Sequence, residues 1–350
     1  MEIHSHRKDE HVFIAQKLYQ SQSTNGLEQV RLLPHNLPEL SLEDIDLSST
    51  LAGQKIAFPF FINAMTGGSA QTKKWNEQLA KVAAKTGIAM AVGSQSIAIK
   101  NPSYADSFTT VRANAPQNFL IGNLGASHNL ASAQQALTML QAQALEIHLN
   151  VGQELVMPEG DTTFLWKDNL KQLLDAKLSP IIVKEVGMGL SPLILSELKA
   201  LGVKYVDLSG KGGTNFIAIE NQRRQQKEFT YLEDFGLTTA EVLIGAQFFS
   251  KDFSFTASGG IRNALDIAKC IALGADNVGI ANFFLHTLVK QGPEGLEQLI
   301  EQLKLHLRKI MVLVGCKNIK ELQQAPYLLS QDLLLFKDQC QTLLQNRNII

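Results

Sequence analysis

Eight short apolar runs, each trailed by a stretch of different period, dominate the chain from about residue 60 to residue 290. They are FFINAM (60–65), IAMAVG (88–93), FLIGNL (119–124), ALEIHL (144–149), IIVKEV (181–186), YVDLS (205–209), SFTAS (254–258) and NVGIA (277–281). Between them lie segments of helical period: TKKWNEQLAKVAAKT (72–86), NLASAQQALTMLQAQ (129–143), SPLILSELKALG (191–202) and NALDIAKCIALG (263–274). The last closes on a glycine, where a helix C-cap belongs. Strands that are apolar throughout need cover on both faces, and alternating helices supply it to a parallel sheet. Eight such units predict a closed (β/α)8 TIM barrel in preference to an open doubly wound sheet.

The barrel is expected over residues 56–315, with an N-terminal extension over 1–55 and a C-terminal helical tail over 316–350. At 350 residues and 45% apolar the chain can bury a full core, and no linker or low-complexity segment divides it, so a single domain is the simpler reading. GLEQLIEQLKLHLRKIMVLVG (295–315) reads as a long amphipathic helix. The net charge of −1 provides no bulk field for nucleic acid or an anionic membrane, so any anion site is local. Cys270, Cys316 and Cys340 are far apart and in no metal-ligand spacing, as in reduced thiols of a cytoplasmic protein. The N-terminal MEIHSHRKDEH is too polar for a signal peptide, and no apolar run reaches spanning length.

In such a barrel the site lies where strands end. Those ends carry Ala64-Met65-Thr66, Ser94, Asn123, then His148, Asn150, Gln153 and Glu154, then Lys184, Ser209 to Thr214, Gly259-Gly260, and Ala281-Asn282. Loops favour polar residues and glycine anyway, but eight ends in series, with a lysine inside an apolar strand, argue for a site. DLSGKGGTNF (207–216) is no triphosphate loop, because Lys211 is followed by two glycines before Thr214. ASGGIRN (257–263) places two glycines before a helix opened by Asn263, a cradle for a monophosphate or simply a tight turn. Lys184 needs an anionic partner: either Glu185 or Asp207, or a ligand ring rich in electrons. Flavin mononucleotide (FMN) satisfies both features, with its phosphate at Gly259, Gly260, Ile261 and Arg262 and its ring near Lys184, Asn123, Ser94 and the Ala64–Thr66 backbone.

HLNVGQELVMPEGD (148–161) is the densest polar cluster behind a strand. Glu154 suits a divalent cation held through one carboxylate oxygen, with water and phosphate completing the shell; Glu154 and Glu159 read alone are solvated loop carboxylates. Arg7 and Lys8 suit a diphosphate clamp, although a basic N-terminus is common in its own right. The connection from Lys211 to Leu237 is long for a βα loop and is expected to act as a lid.

Taken in order, RKDEHV, FINAMTGG, AVGSQ, HLNVGQELVMPEGD, VKEVGMG, DLSGKGGTNF and ASGGIR resemble the type 2 isopentenyl-diphosphate isomerases over nearly the whole length. The resemblance implies an FMN-dependent barrel that interconverts isopentenyl diphosphate and dimethylallyl diphosphate. It also implies Mg²⁺, NADPH as flavin reductant, and a homotetramer or homo-octamer. It assigns FMN contacts to Ala64, Met65, Thr66, Ser94, Asn123, Lys184, Ser209, Thr214, Gly259 to Arg262, Ala281 and Asn282. Substrate contacts fall on Arg7, Lys8, His148, Asn150 and Gln153, and the metal ligand on Glu154. Two departures stand out: Ser96 occupies a position that is basic in many members, and NVGQE replaces the commoner NPLQE.

An allylic proton shift passes through a tertiary cation, so it needs a dry site, an electron-rich neighbour and a group that exchanges protons. Gln153 is a poor acid alone, which leaves reduced FMN as the acid and base and Gln153 to position the alkene or relay a proton. A 2-hydroxy-acid oxidase needs a histidine base after the sixth strand, where Lys211 stands, and no histidine lies between His148 and His286. A nucleotide dehydrogenase of this fold needs a cysteine there, which is also missing. A non-catalytic flavin- or phosphate-binding barrel remains the reading from another class.

Overall fold

The computed structural model describes residues 2–21 and 24–350, with side chains from residue 7 onward. The first residue of the expected extension, and Gln22 and Ser23, lie outside the described residues. Eight parallel strands close into a barrel in the order of the chain: β1 (Phe60–Ile62), β2 (Met90–Ala91), β3 (Leu120–Gly125), β4 (Ala144–His148), β5 (Ile181–Lys184), β6 (Tyr205–Asp207), β7 (Ser254–Ser258) and β8 (Asn277–Ile280). β8 returns to β1 through Phe60 opposite Val278 and Ile62 opposite Ile280. The chain is thus a (β/α)8 TIM barrel. Most strands are shorter than their apolar runs, because the last residues of each run leave the ladder to build the mouth.

Period-two alternation sorts each strand between two cores. Leu145, Ile147, Val183 and Val206 face the surrounding helices in the larger cluster. Phe61, Ala89, Ala91, Ile121, Ala144 and Ile182 point into the barrel. There they meet Leu51, Ala52 and Ile56 of the hairpin Ser49–Leu51/Gln54–Ile56, which plugs the end of the barrel where the strands begin. The fit is close: a Cβ on Gly53 at the hairpin tip would lie 2.5 Å from the Tyr205 hydroxyl. Towards the strand ends the buried inward side chains turn polar: Asn63, Asn123, Glu146, Lys184 and Asp207.

Helix ends follow local chemistry. Ser69 and Thr72 form a capping box at the start of helix Ala70–Thr86, and Gly87, at φ 70°, closes it. The helix expected over 295–315 ends at Leu313 and is the second part of a longer span from Asn282, broken where Gly292 takes φ 73° ahead of Pro293. The expected helical tail is a mixture: Ile319–Leu322 is helical, Tyr327–Leu329 pairs antiparallel with Val30–Leu32, and Gln331–Asn346 is a helix. Three further helices frame the mouth: α1 (Glu2–Lys17), α2 (Val151–Val156) and α3 (Phe216–Arg223). The segment expected as a lid is a folded wall. Its neck is closed by bonds from Lys211 N to Leu237 O and from Thr239 N to Lys211 O, and α3 packs on α1 and α2.

Candidate functional site

The strand ends open into a cavity of about 650 Å³, a size usual for cofactor and substrate pockets. It draws in every residue that the sequence assigns to FMN, substrate or metal except Thr66. Thr66 is buried beside it, its hydroxyl donating to Asn76 Oδ1 (2.5 Å) and its carbonyl accepting from Gly93 N. Lys211 lies elsewhere: its Nζ donates to Asp234 Oδ1 at 2.7 Å.

One end of the cavity is built of backbone. Gly259 and Gly260 take φ 112° and 73°, and a Cβ on Gly259 would lie 1.9 Å from Gly210 O. Gly213 faces the same turn, where a Cβ would come within 2.5 Å of Gly260 N. Arg262 stacks its guanidinium over Tyr19, 4.9 Å from the ring centroid, and its buried Nε has no partner among the described residues. Tyr19 in turn stacks on His286. Gln16 donates to Asn282 Oδ1 (2.7 Å), fastening the end of α1 to the residue after β8.

Lys184 stands deeper. Its Nζ donates to Glu185 O (2.8 Å) and lies 3.8 Å from Asp207 Oδ2. The internal ion pair weighed as an alternative therefore exists at long range, yet Lys184 still faces the cavity. Glu185 is held by the amides of Gly187, Met188 and Gly189, which fixes the turn behind Lys184. A bare glycine cradle, a buried guanidinium N–H lacking an acceptor and a buried ammonium are together what a phosphate-bearing, electron-rich ring requires. The residues fit FMN.

The opposite end is ionic. Gln153 Nε2 donates to Glu220 Oε1 (2.9 Å), and Arg223 Nη1 donates to Glu220 Oε2 (2.7 Å). His11 Nε2 lies 2.8 Å from Glu220 Oε1. Burial alone would push the Glu220 carboxyl up, but its contacts with His11, Gln153 and Arg223 outweigh this and hold it at about 2. Glu220 went unread in the sequence because α3 lay inside a segment taken for a loop; the available signal was Asn215, whose side chain caps the helix by accepting from Ala218 N. Burial, reinforced by Arg7, lowers Lys8 to about 8.

His148 donates from Nδ1 to Asn123 Oδ1 (2.8 Å), since an amide oxygen only accepts. Burial, with Lys184 and Lys8 nearby, pushes it down to about 3, so the ring is neutral with Nε2 as its acceptor. Glu154 accepts from Asn150 Nδ2 (2.8 Å) and Asp161 N (2.9 Å). Among the described residues no group of three or more His, Cys, Asp or Glu side chains gathers as a metal cage. Glu154 at the cavity wall fits a Mg²⁺ that completes its shell with water and phosphate oxygens.

Both sequence departures have local explanations. Gly152 lets Met188 approach α2, because a Cβ there would sit 2.5 Å from Met188 Sδ; Gln153 and Glu154 keep their places. Ser96 is tied to His128 Nε2 (2.7 Å) and Ser94 Oγ (2.8 Å), while Lys100, one helical turn on, lines the cavity.

A sequence profile described as FMN-dependent dehydrogenase matches residues 15–102 and 105–329. Solved structures agree in fold. A flavocytochrome b2 variant with pyruvate bound superposes with a TM-score of 0.70 at 19% identity, covering 93% of this chain and 84% of that one. Mandelate oxidase with benzoyl-formic acid gives 0.62 at 15% identity, covering 92% and 91%. At those identities the likeness concerns fold alone. Fold and profile define an FMN-dependent dehydrogenase-type barrel.

The isopentenyl-diphosphate delta-isomerase of Latilactobacillus sakei subsp. sakei (strain 23K) is 48% identical over 332 residues, 95% of each chain. That of Lactococcus lactis subsp. lactis (strain IL1403) is 44% identical over 342 residues, 97% of this chain and 98% of the relative. Within the FMN-dependent class, the chain belongs to the isopentenyl-diphosphate delta-isomerase family.

Proposed function

We propose that the protein interconverts isopentenyl diphosphate and dimethylallyl diphosphate for isoprenoid biosynthesis, by an allylic proton shift that uses reduced FMN and Mg²⁺. The observation that carries this reading is one cavity with two unlike ends: a glycine cradle beside Lys184, and a cluster of Arg7, Lys8, Gln153 and Glu154. Ala64, Met65, Thr66, Ser94, Asn123, Ser209, Thr214, Ile261 and Ala281 complete the FMN end. Bound reduced FMN supplies a proton donor and acceptor and an electron-rich face for a developing cation.

The chain's own residues do the rest. Arg7, Lys8 and a Mg²⁺ on Glu154 bind the diphosphate, and the binding energy of that remote group holds the small alkene in place. His148 and Asn150 shape the path between the two ends. Gln153 presents its amide in one orientation, because Glu220 takes an N–H; that leaves the carbonyl oxygen to position the alkene or hold a proton in passing. Phe216 and Ile219 of α3 line the same space and keep water from it.

The same reading takes the protein as a single-domain, cytoplasmic homotetramer or homo-octamer reduced by NADPH. The absence, among the described residues, of any helix apolar enough to cross a membrane agrees with it, as do the exposed Leu328, Leu334 and Leu335 of the tail. An anaerobic assay of isopentenyl diphosphate conversion with reduced and with oxidised FMN tests the proposal. Activity is expected only with the reduced form and Mg²⁺; equal rates in both, or conversion by the flavin-free protein, would sink it.

A further inference from the structure

Beneath the cofactor end lies a carboxyl group with no role in the mechanism above. Glu146, on β4, is fully buried. Its Oε2 accepts from Asn123 Nδ2 at 2.7 Å, while Oε1 has no partner among the described residues. The groups around it are few. Lys184 approaches from β5 and Asp207 from β6, and His148, two residues along β4, is joined to it through Asn123. Asp207 already has its charge met: Asn63 Nδ2 donates at 2.8 Å, Ser258 Oγ at 2.5 Å and Ser209 N at 3.1 Å, with Lys184 beyond. One ammonium thus faces two fully buried carboxyl groups. An ionised Glu146 would leave the layer one charge negative and would bury a bare carboxylate oxygen, which is far more costly than burying a neutral acid.

We propose that Glu146 holds a proton beneath the cofactor end of the cavity, so that the layer around Lys184 carries no net charge and accepts an anionic ligand ring above it. The inference rests on the FMN reading, since the anion it serves is the reduced flavin. Burial pushes the carboxyl up to about 7, against the pull of Lys184. By linkage, an anion placed beside Lys184 raises it further. A proton therefore comes from solvent to Glu146 when the anion forms and returns to solvent when it leaves; no electron is exchanged with the protein. Glu146 acts through Lys184 and is a positioning residue.

The test has two arms. In the first, infrared spectra of FMN-free protein are taken across the pH range in wild type and E146Q, a neutral isostere that keeps the acceptor for Asn123. A buried carboxylic-acid band that fades as pH rises through about 7, and that E146Q lacks, is the expected result. A wild-type spectrum without such a band at pH 6 overturns the proposal, even should E146Q fail to fold. In the second arm, the midpoint potential of bound FMN is followed between pH 7 and pH 8. Wild type is expected to lose preference for reduced over oxidised FMN about fivefold relative to E146Q, or ~20 mV for a two-electron couple. Parallel pH dependences in the two proteins would refute the coupling to the anion. Failure to bind FMN at all would remove the proposed function while the infrared arm still reported on Glu146.

Discussion

Glu220 reaches Gln153, His11 and Arg223 at once from a fully buried position. Its carboxyl is held at about 2, below the usual carboxylate value of 4.5. A depressed acid stabilises the fold above its unfolded pKa and loses that contribution as pH falls through the folded one. Wild type should lose about 3 kcal/mol from this group between pH 5 and pH 2. E220Q should be less stable at neutral pH and show a flatter acid limb, read from urea midpoints at each pH. Lys100 makes a contrasting case: it is exposed at the cavity rim, and the proposed function predicts that it helps hold the diphosphate without touching the chemistry. Replacement by alanine should raise KM by about two- to fivefold and leave kcat unchanged, as for loss of uniform binding. At this scale the sequence was informative where a polar side chain interrupts an apolar strand near its end, as Lys184 and Asn123 do. It was silent on Glu220, whose place depends on how a long excursion folds back, and it named Thr66, whose hydroxyl turns to Asn76.

Helix Ala70–Thr86 ends beneath the span that begins at Asn282. There Lys304 donates to Thr86 O (2.6 Å) and Glu301 Oε1 (2.7 Å), with its ammonium 3.9 Å from the centroid of Phe58. K304M keeps the stem but leaves the helix-terminal carbonyl bare, so it should cost ~1–3 kcal/mol with activity retained; calorimetry and a rate assay check both halves. The β7 turn is the opposite kind of element, where shape serves a ligand. Gly259→Ala would drive a methyl group into Gly210 O. The expected result is protein that purifies without flavin while keeping its far-ultraviolet circular dichroism. Strand order was legible because both faces of each strand are apolar and helices intervene. Strand ends were not, because the same apolar residues continue past the last ladder bond into the mouth. Gly292-Pro293 separates two helices, at Asn282 onward and after Pro293, and only the second was legible from its amphipathic period.

Across the whole molecule, α1 crosses the mouth from Arg7, which contacts Glu159 at 3.4 Å, to Gln16, which bonds Asn282. Its own Val12 and Ala15 are buried. Removal of residues 1–20 should leave the barrel folded, since its strands and both cores are formed mainly by later residues. The truncated protein should release FMN faster and lose at least ~10²-fold in kcat/KM, through the positioning lost with Arg7 and Lys8; flavin fluorescence and steady-state rates measure the two effects. The barrel itself was visible in the eightfold alternation, but its lower plug was not, because Ser49–Ile56 is short and only half apolar. That plug has a kinetic consequence. A shaft stoppered at the bottom loads and empties from one side, so whatever sits lowest must enter first and leave last. On the proposed function the flavin would be trapped for as long as a diphosphate occupied the space above it, and exchange between bound and free cofactor should slow as substrate approaches saturation.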